Sequence, residues 1–252
     1  MTKWKPQEFT TDDRLHVANE ILENLLRKYG ERLISVAIEG STAKGTDRPE
    51  SDLELRVVVE GRESEWYPFF YKGMFVGISF NTVEKIQSKA RSLDYEWCVK
   101  GDVLFTCKIL YDSSNLYQSL REIALETELH TDFNVLMRDA LTDMYEHVYK
   151  IFTIKDTDTI VAAHEARQIA YWATMLVGLK NRHKFLSSRT MYEEAFGFHS
   201  LPNNYEMNIK EVLSLHTDVQ KLKRFVGNLW SSTAEWAGLH GISLEEDSLS
   251  FI

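Results

Sequence analysis

From about Leu116 onward the apolar residues recur almost entirely at helical spacing, whereas the residues before it mix short alternating runs with helical ones. This change of period predicts an α+β N-terminal half and an all-helical C-terminal half, which we divide as 1–126 and 127–252. The hydroxyls and carboxylates of Thr10 to Asp13 start a helix in which Leu15, Ala18, Ile21, Leu22, Leu25 and Leu26 share one stripe. Lys28 and Gly30 end it. Strands are expected at 33–38, 52–59, 67–71, 74–80 and 103–111, with a loop at 40–50 and a helix at 82–93. Beyond them, helices are expected at 116–128, 131–153, 157–184, 188–196, 208–215 and 217–239.

Composition narrows the class. Of 252 residues, 44% are hydrophobic and 27% charged, which excludes a disordered chain. The net charge of -9 is spread through both halves, and no basic stripe is available to track a phosphate backbone. Nucleic acid is therefore not an expected partner. An acidic surface suits a cationic one, although solubility alone accounts for it. Cys98 and Cys107 have neither CxxC spacing nor nearby histidines and read as buried thiols. The longest apolar stretch, Ile169 to Leu179, is 11 residues and too short for a bilayer. No membrane partner is expected, and the absence of an apolar N-terminal segment points to the cytoplasm.

The informative stretch runs from Gly40 to Leu55, between two expected strands. Asp52 and Glu54 are two apart and share one face of a strand, while Leu53, Leu55 and Val57 pack beneath. Two hard oxygens on a rigid strand suit Mg²⁺, which takes its other ligands from water and substrate phosphates. Gly40 allows close backbone approach to a phosphate, Ser41 adds a hydroxyl and Lys44 a positive charge. Taken alone, Asp-Leu-Glu-Leu-Arg-Val fits any half-buried strand with a wet face. It is the preceding Gly40-Ser41, at this distance, that is rare by chance.

The whole constellation resembles the nucleotidyltransferase superfamily signature, in which Gly-Ser precedes Asp-x-Asp/Glu by about this distance. Tyr29-Gly30, Gly40-Ser41, Thr46-Asp47, Pro49, Ser51-Asp52 and Glu54 are similar to the kanamycin nucleotidyltransferase family, of the aminoglycoside 4'-adenylyltransferase type. Tyr111-Asp112-Ser113, Met175 to Leu179, Arg182, Leu201-Pro202, Trp236 and His240-Gly241 follow in the same order. The resemblance implies a polymerase-β-like mixed sheet with helices, then a helical bundle. It implies Asp52 and Glu54 as catalytic metal ligands, and Gly40, Ser41, Lys44, Ser51 and Lys150 as contacts to ATP or another nucleoside triphosphate. It implies Glu146 as the base, and a homodimer. The reaction implied is Mg²⁺-dependent transfer of a nucleoside monophosphate to a hydroxyl of an aminoglycoside-like small molecule, as in antibiotic resistance. From the residues alone, Glu146 and Lys150 are only an i,i+4 pair of the kind common on helix surfaces.

Two positions depart from the family. Gly77 stands where the family has a glutamate, and Thr142-Asp143 where it has an acidic pair one turn before the base. These changes leave nucleotide and metal handling intact and alter the acceptor pocket. Transfer to a different acceptor, or a catalytically silent binding protein of the same fold, are the alternatives. The aromatic run Trp66, Tyr67, Phe69, Phe70 and Tyr71 reads as core and sheet cover, with an interface as the other reading. Trp172, Met175, Leu176 and Leu179 read as a core stripe.

Overall fold

The computed structural model describes residues 6–214 and 218–245. They form two compact units: one runs to Leu93 and resumes over Asp102–Thr131, and the other comprises Asp94–Gly101 and the residues from Asp132 onward. A division at 126/127 would cut a helix that ends at His130.

The first unit contains helix α1 (Thr11–Tyr29), strand β1 (Leu33–Glu39), helix α2 (Gly40–Lys44), strands β2 (Leu53–Val59), β3 (Glu65–Tyr71) and β4 (Met74–Asn81), and helix α3 (Val83–Ala90). Helix α4 (Trp97–Lys100) belongs to the second unit. Helix α5 (Val103–Thr106), strand β5 (Lys108–Asp112) and helix α6 (Leu116–His130) complete the first. Thr10 and Asp13 close a reciprocal capping box at the start of α1. The sheet has the order β3-β4-β2-β1-β5, with β2 and β4 parallel and the other pairs antiparallel. Lys72 and Gly73 both take positive φ (51° and 84°), which suits the tight hairpin between β3 and β4.

Val17, Ala18, Ile21 and Leu25 of α1 pack on one sheet face against Val36, Ile38, Leu53, Leu55, Val57, Val76 and Ile78. On the other face, α3 and α6 cover Val58 through Ile86, Ala90, Leu116 and Leu120. Asp112 ties the sheet to α6, because its carboxylate accepts the backbone N–H groups of Leu116 (2.9 Å) and Tyr117 (3.0 Å).

Three expectations change. Gly40–Lys44 is a helical turn, not loop. Val103–Thr106 is helical although its residues favour strands: Thr106 and Cys107 donate to the carbonyls of Asp102 and Val103, and pairing with β1 begins only at Lys108. Leu104 is thereby placed against Ala37 and Tyr117. The aromatic run is not mainly core. Trp66, Tyr67 and Phe70 are 52%, 51% and 74% exposed, because β3 is an edge strand paired only with β4, whereas Phe69 and Tyr71 pack against the core cluster that α1 covers.

The second unit is helical: α7 (Phe133–Thr153), α8 (Thr159–Lys180), α9 (Met191–Ala195), α10 (Tyr205–Leu213) and α11 (Val219–Leu239). The expected helix limits at Leu215 and Thr217 lie outside the described residues. Helix α8 is apolar on nearly every side and accordingly central, with Ala162, Ala166, Ile169, Ala173, Met175, Leu176 and Leu179 buried. Trp97 meets the Phe133 ring edge-on at 5.0 Å, and Phe185 N–H donates to the Cys98 carbonyl at 2.6 Å. Cys98 and Cys107 are free and buried, and burial pushes both thiol pKa values up. Among the described residues, no helix is long and apolar enough to cross a membrane.

Candidate active site

The site begins at the junction of β1 and α2. Gly40 has φ +63°, and a Cβ there would overlap the Glu54 carboxylate oxygen Oε2. Any other residue would strain the backbone there and push the Glu54 carboxylate aside, so the position favours glycine. Ser41 follows in the same helical turn, which closes at Gly45 in the left-handed region. The α2 turn and the acidic strand are thus in direct contact.

Asp52 lies immediately before β2 and Glu54 lies within it, facing away from the buried Leu53 and Leu55. Burial raises the Glu54 pKa, and the negative charges of Asp52 and Glu39 raise it further. Crowded carboxylates of this kind are relieved by a cation. Among the described residues, no group of three or more His, Cys, Asp or Glu side chains converges on a metal position. Two carboxylates at the start of one strand suit Mg²⁺, which keeps waters and substrate oxygens as its other ligands. Glu39 is already committed, since Arg56 grips it through Nε and, at 3.2 Å, through Nη2.

The other candidates are placed as follows. Lys44 Nζ is bound to Asp102 Oδ2 at 2.5 Å in a largely buried pair, and Asp102 Oδ1 is buried without a hydrogen-bond partner. Ser51 shapes the turn: its hydroxyl accepts from Arg48 N–H at 2.9 Å. Glu146 and Lys150 lie on α7, in the second unit, as an exposed pair 3.7 Å apart. Thr142 donates back to the Arg138 carbonyl at 2.9 Å, and a hydrogen bond to Asp143 raises the Tyr95 pKa. Beside Glu146, His147 Nδ1 lies 2.6 Å from Glu165 Oε2.

Sequence reading missed Arg14. It is fully buried, and its guanidinium donates to the carbonyls of Phe9, Arg48, Pro49 and Ser51 and to Asp47 Oδ2 at 3.0 Å. It holds the 47–51 loop, which delivers Asp52. The signal was available: Arg14 shares the core stripe of Val17, Ala18, Ile21 and Leu25, where a cation needs dedicated partners. Asp102 and Glu165 carried no comparable signal.

Gly77 is the register partner of Glu54 on β4. A side chain there would overlap the six-membered ring of Trp66, which crosses from β3. The space above Gly77 is thus filled by an indole.

Residues 114–243, just over half of the chain, match the family model described as the KNTase C-terminal domain. Two proteins named aminoglycoside nucleotidyltransferase (4'), from Staphylococcus aureus and a Bacillus species, are each 26% identical over 239 residues, spanning 94% of this chain and 94% of theirs. The fold is similar to that of a nucleotidyltransferase-like protein from Exiguobacterium sibiricum, with a TM-score of 0.52 at 10% identity, over 90% of this chain and 78% of that one.

Proposed function

The chain belongs to the KNTase C-terminal domain family and is a nucleotidyltransferase, and from that premise we propose that it moves a nucleoside monophosphate from ATP or another nucleoside triphosphate to a hydroxyl of an aminoglycoside-like small molecule. The observation that carries this reading is the contact between Gly40 and the Glu54 carboxylate, which sets a phosphate-approaching turn directly beside an acidic pair. Asp52 and Glu54 would hold Mg²⁺, and that ion supplies charge neutralisation at the phosphates. Ser41 donates its hydroxyl to a phosphate oxygen, and Lys44 and Lys150 contribute positive charge. Gly40 keeps the backbone close enough for this. Glu146 accepts the proton of the acceptor hydroxyl, and a positioned base contributes about 10²–10⁴ in rate. The protein works in the cytoplasm as a homodimer, which sedimentation analysis tests.

The experiment is pyrophosphate release from ATP or GTP with Mg²⁺ and a panel of aminoglycosides. Release dependent on an aminoglycoside is expected from the wild type, and Asp52→Ala should lower it by more than Glu146→Gln does. Comparable activity in Asp52→Ala and wild type would overturn the metal assignment. A second reading keeps the chemistry and changes the acceptor. What favours it is Gly77 beneath Trp66, in place of a carboxylate. Nucleotide binding without aminoglycoside-dependent release supports that reading, and no binding of Mg²⁺-nucleotide at all supports a silent member of the fold.

A further inference from the structure

The sheet face that carries Glu54 has an unusual chemistry for recognising a polycation. Among its described strand positions the carboxylates are Glu39, Glu54 and Asp112; Glu39 is spent on Arg56, and Asp112 on the N–H groups of Leu116 and Tyr117. If Asp52 and Glu54 hold Mg²⁺, no carboxylate on these strand positions is left to pair with the ammonium groups of an acceptor. In its place the face has aromatic surface. Trp66 lies over Gly77, beside Glu54 by one strand spacing of about 4.8 Å. Trp66 is nevertheless 52% exposed, and its ring packs on the glycine along one edge. Phe70 and Phe75, with ring centroids 5.3 Å apart, continue the surface along the same two strands. Glycine at 77 is what permits this arrangement, because any side chain would lift the indole off the sheet.

We propose that Trp66 is the specificity-determining residue on the acceptor side, its open ring face stacking on a flat ring of a weakly cationic hydroxyl compound. The inference rests on the nucleotidyl-transfer reading and names the acceptor class for the same site. Stacking and cation–π contact with an indole reward one planar ring and one positive charge. Spreading several ammonium groups over the same face would leave most of them unpaired.

The test uses two probes of equal charge, phenyl and methyl 2-amino-2-deoxy-β-glucopyranoside, titrated calorimetrically into the full chain with Mg²⁺ and a non-hydrolysable ATP analogue. The phenyl glycoside should bind the wild type about tenfold more tightly than the methyl one. The ratio should fall to about one in Trp66→Ala and largely persist in Trp66→Phe, which also controls for folding of the edge strand. Equal binding of both probes by the wild type, or an unchanged ratio in Trp66→Ala, would overturn the proposal. Two results would reassign the ring, and both reject this role for it. A loss of affinity for the ATP analogue at constant ratio assigns it to the nucleobase. A shift in oligomeric state at constant ratio assigns it to a second copy of the chain. Pyrophosphate release is measured separately: if no acceptor supports it while the ratio behaves as expected, the transfer reading fails and ring recognition by Trp66 stands.

Discussion

At the scale of single residues, the site depends on close approach. Gly40 combines a positive φ with direct contact to the Glu54 carboxylate. Gly40→Ala should cost about 1–2 kcal/mol from the backbone conformation alone, and more from displacing Glu54. Urea denaturation measures the first effect and pyrophosphate release the second. Glu54 itself is held at a cost. Burial and the neighbouring Asp52 and Glu39 charges raise its pKa above the unfolded value. Between the two values the folded chain binds more protons than the unfolded one, so this group's contribution to stability falls as pH rises. Without added Mg²⁺, Glu54→Gln should therefore melt higher than wild type at pH 7. The advantage should vanish as the pH drops below the ordinary carboxylate range. A lower melting temperature for the glutamine variant at pH 7 would contradict the assignment.

At the scale of elements, the acidic strand is aimed by a helix on the opposite side of the sheet. Arg14 of α1 collects the carbonyls of Arg48, Pro49 and Ser51 together with Asp47, which fixes the loop entering β2. The Arg48 and Pro49 carbonyls and Asp47 Oδ2 also accept from Ser51 N–H, Phe9 N–H and the Thr11 hydroxyl, so the guanidinium adds a second donor at each and ties the loop to one buried charge. Arg14→Met should destabilise the chain by about 3–5 kcal/mol, because it strands Asp47 without its cation. It should also lower turnover through Asp52, and equilibrium unfolding and kcat together check this. The helices α2 and α5 show the limit of local reading. Gly40–Lys44 reads as loop by composition and Val103–Thr106 reads as strand by β-branching, yet both close hydrogen-bonded turns because their neighbours in the sheet fix where pairing starts.

At the scale of the whole molecule, the chain order and the packing order differ. Asp94–Gly101 is flanked by residues of the first unit but packs in the second. There Trp97 covers Phe133. Cys98 sits so close to Gly178 that a Cβ at Gly178 would meet its sulfur. A fragment beginning at Asp132 would lack this segment and leave Phe133 and Phe185 exposed to water. It should bind the dye ANS and melt less cooperatively than a fragment in which 94–101 is joined through a short Gly/Ser linker. Equal dye binding by the two would contradict this packing. In the intact chain, buried Cys98 should resist a thiol reagent such as DTNB until the protein unfolds.

The sequence by itself determined the class of fold and which short stretch, Gly40 to Leu55, carries the candidate site. The change of hydrophobic period near Leu116 separated a mixed sheet from a helical bundle, since 2.0 and 3.6 residue repeats bury different faces. The contact of Gly40 with Glu54 was legible in outline because a glycine at a strand end and alternate residues on one strand are local patterns. Contacts made across the fold could not be read in this way. That Arg14 holds the loop before Asp52 and that Lys44 is paired with Asp102 each join residues far apart in the chain, and that Trp66 fills the space over Gly77 depends on how the indole folds across its hairpin. Only packing brings such partners together, and packing also decided which aromatic residues were buried and which were left open beside the carboxylates.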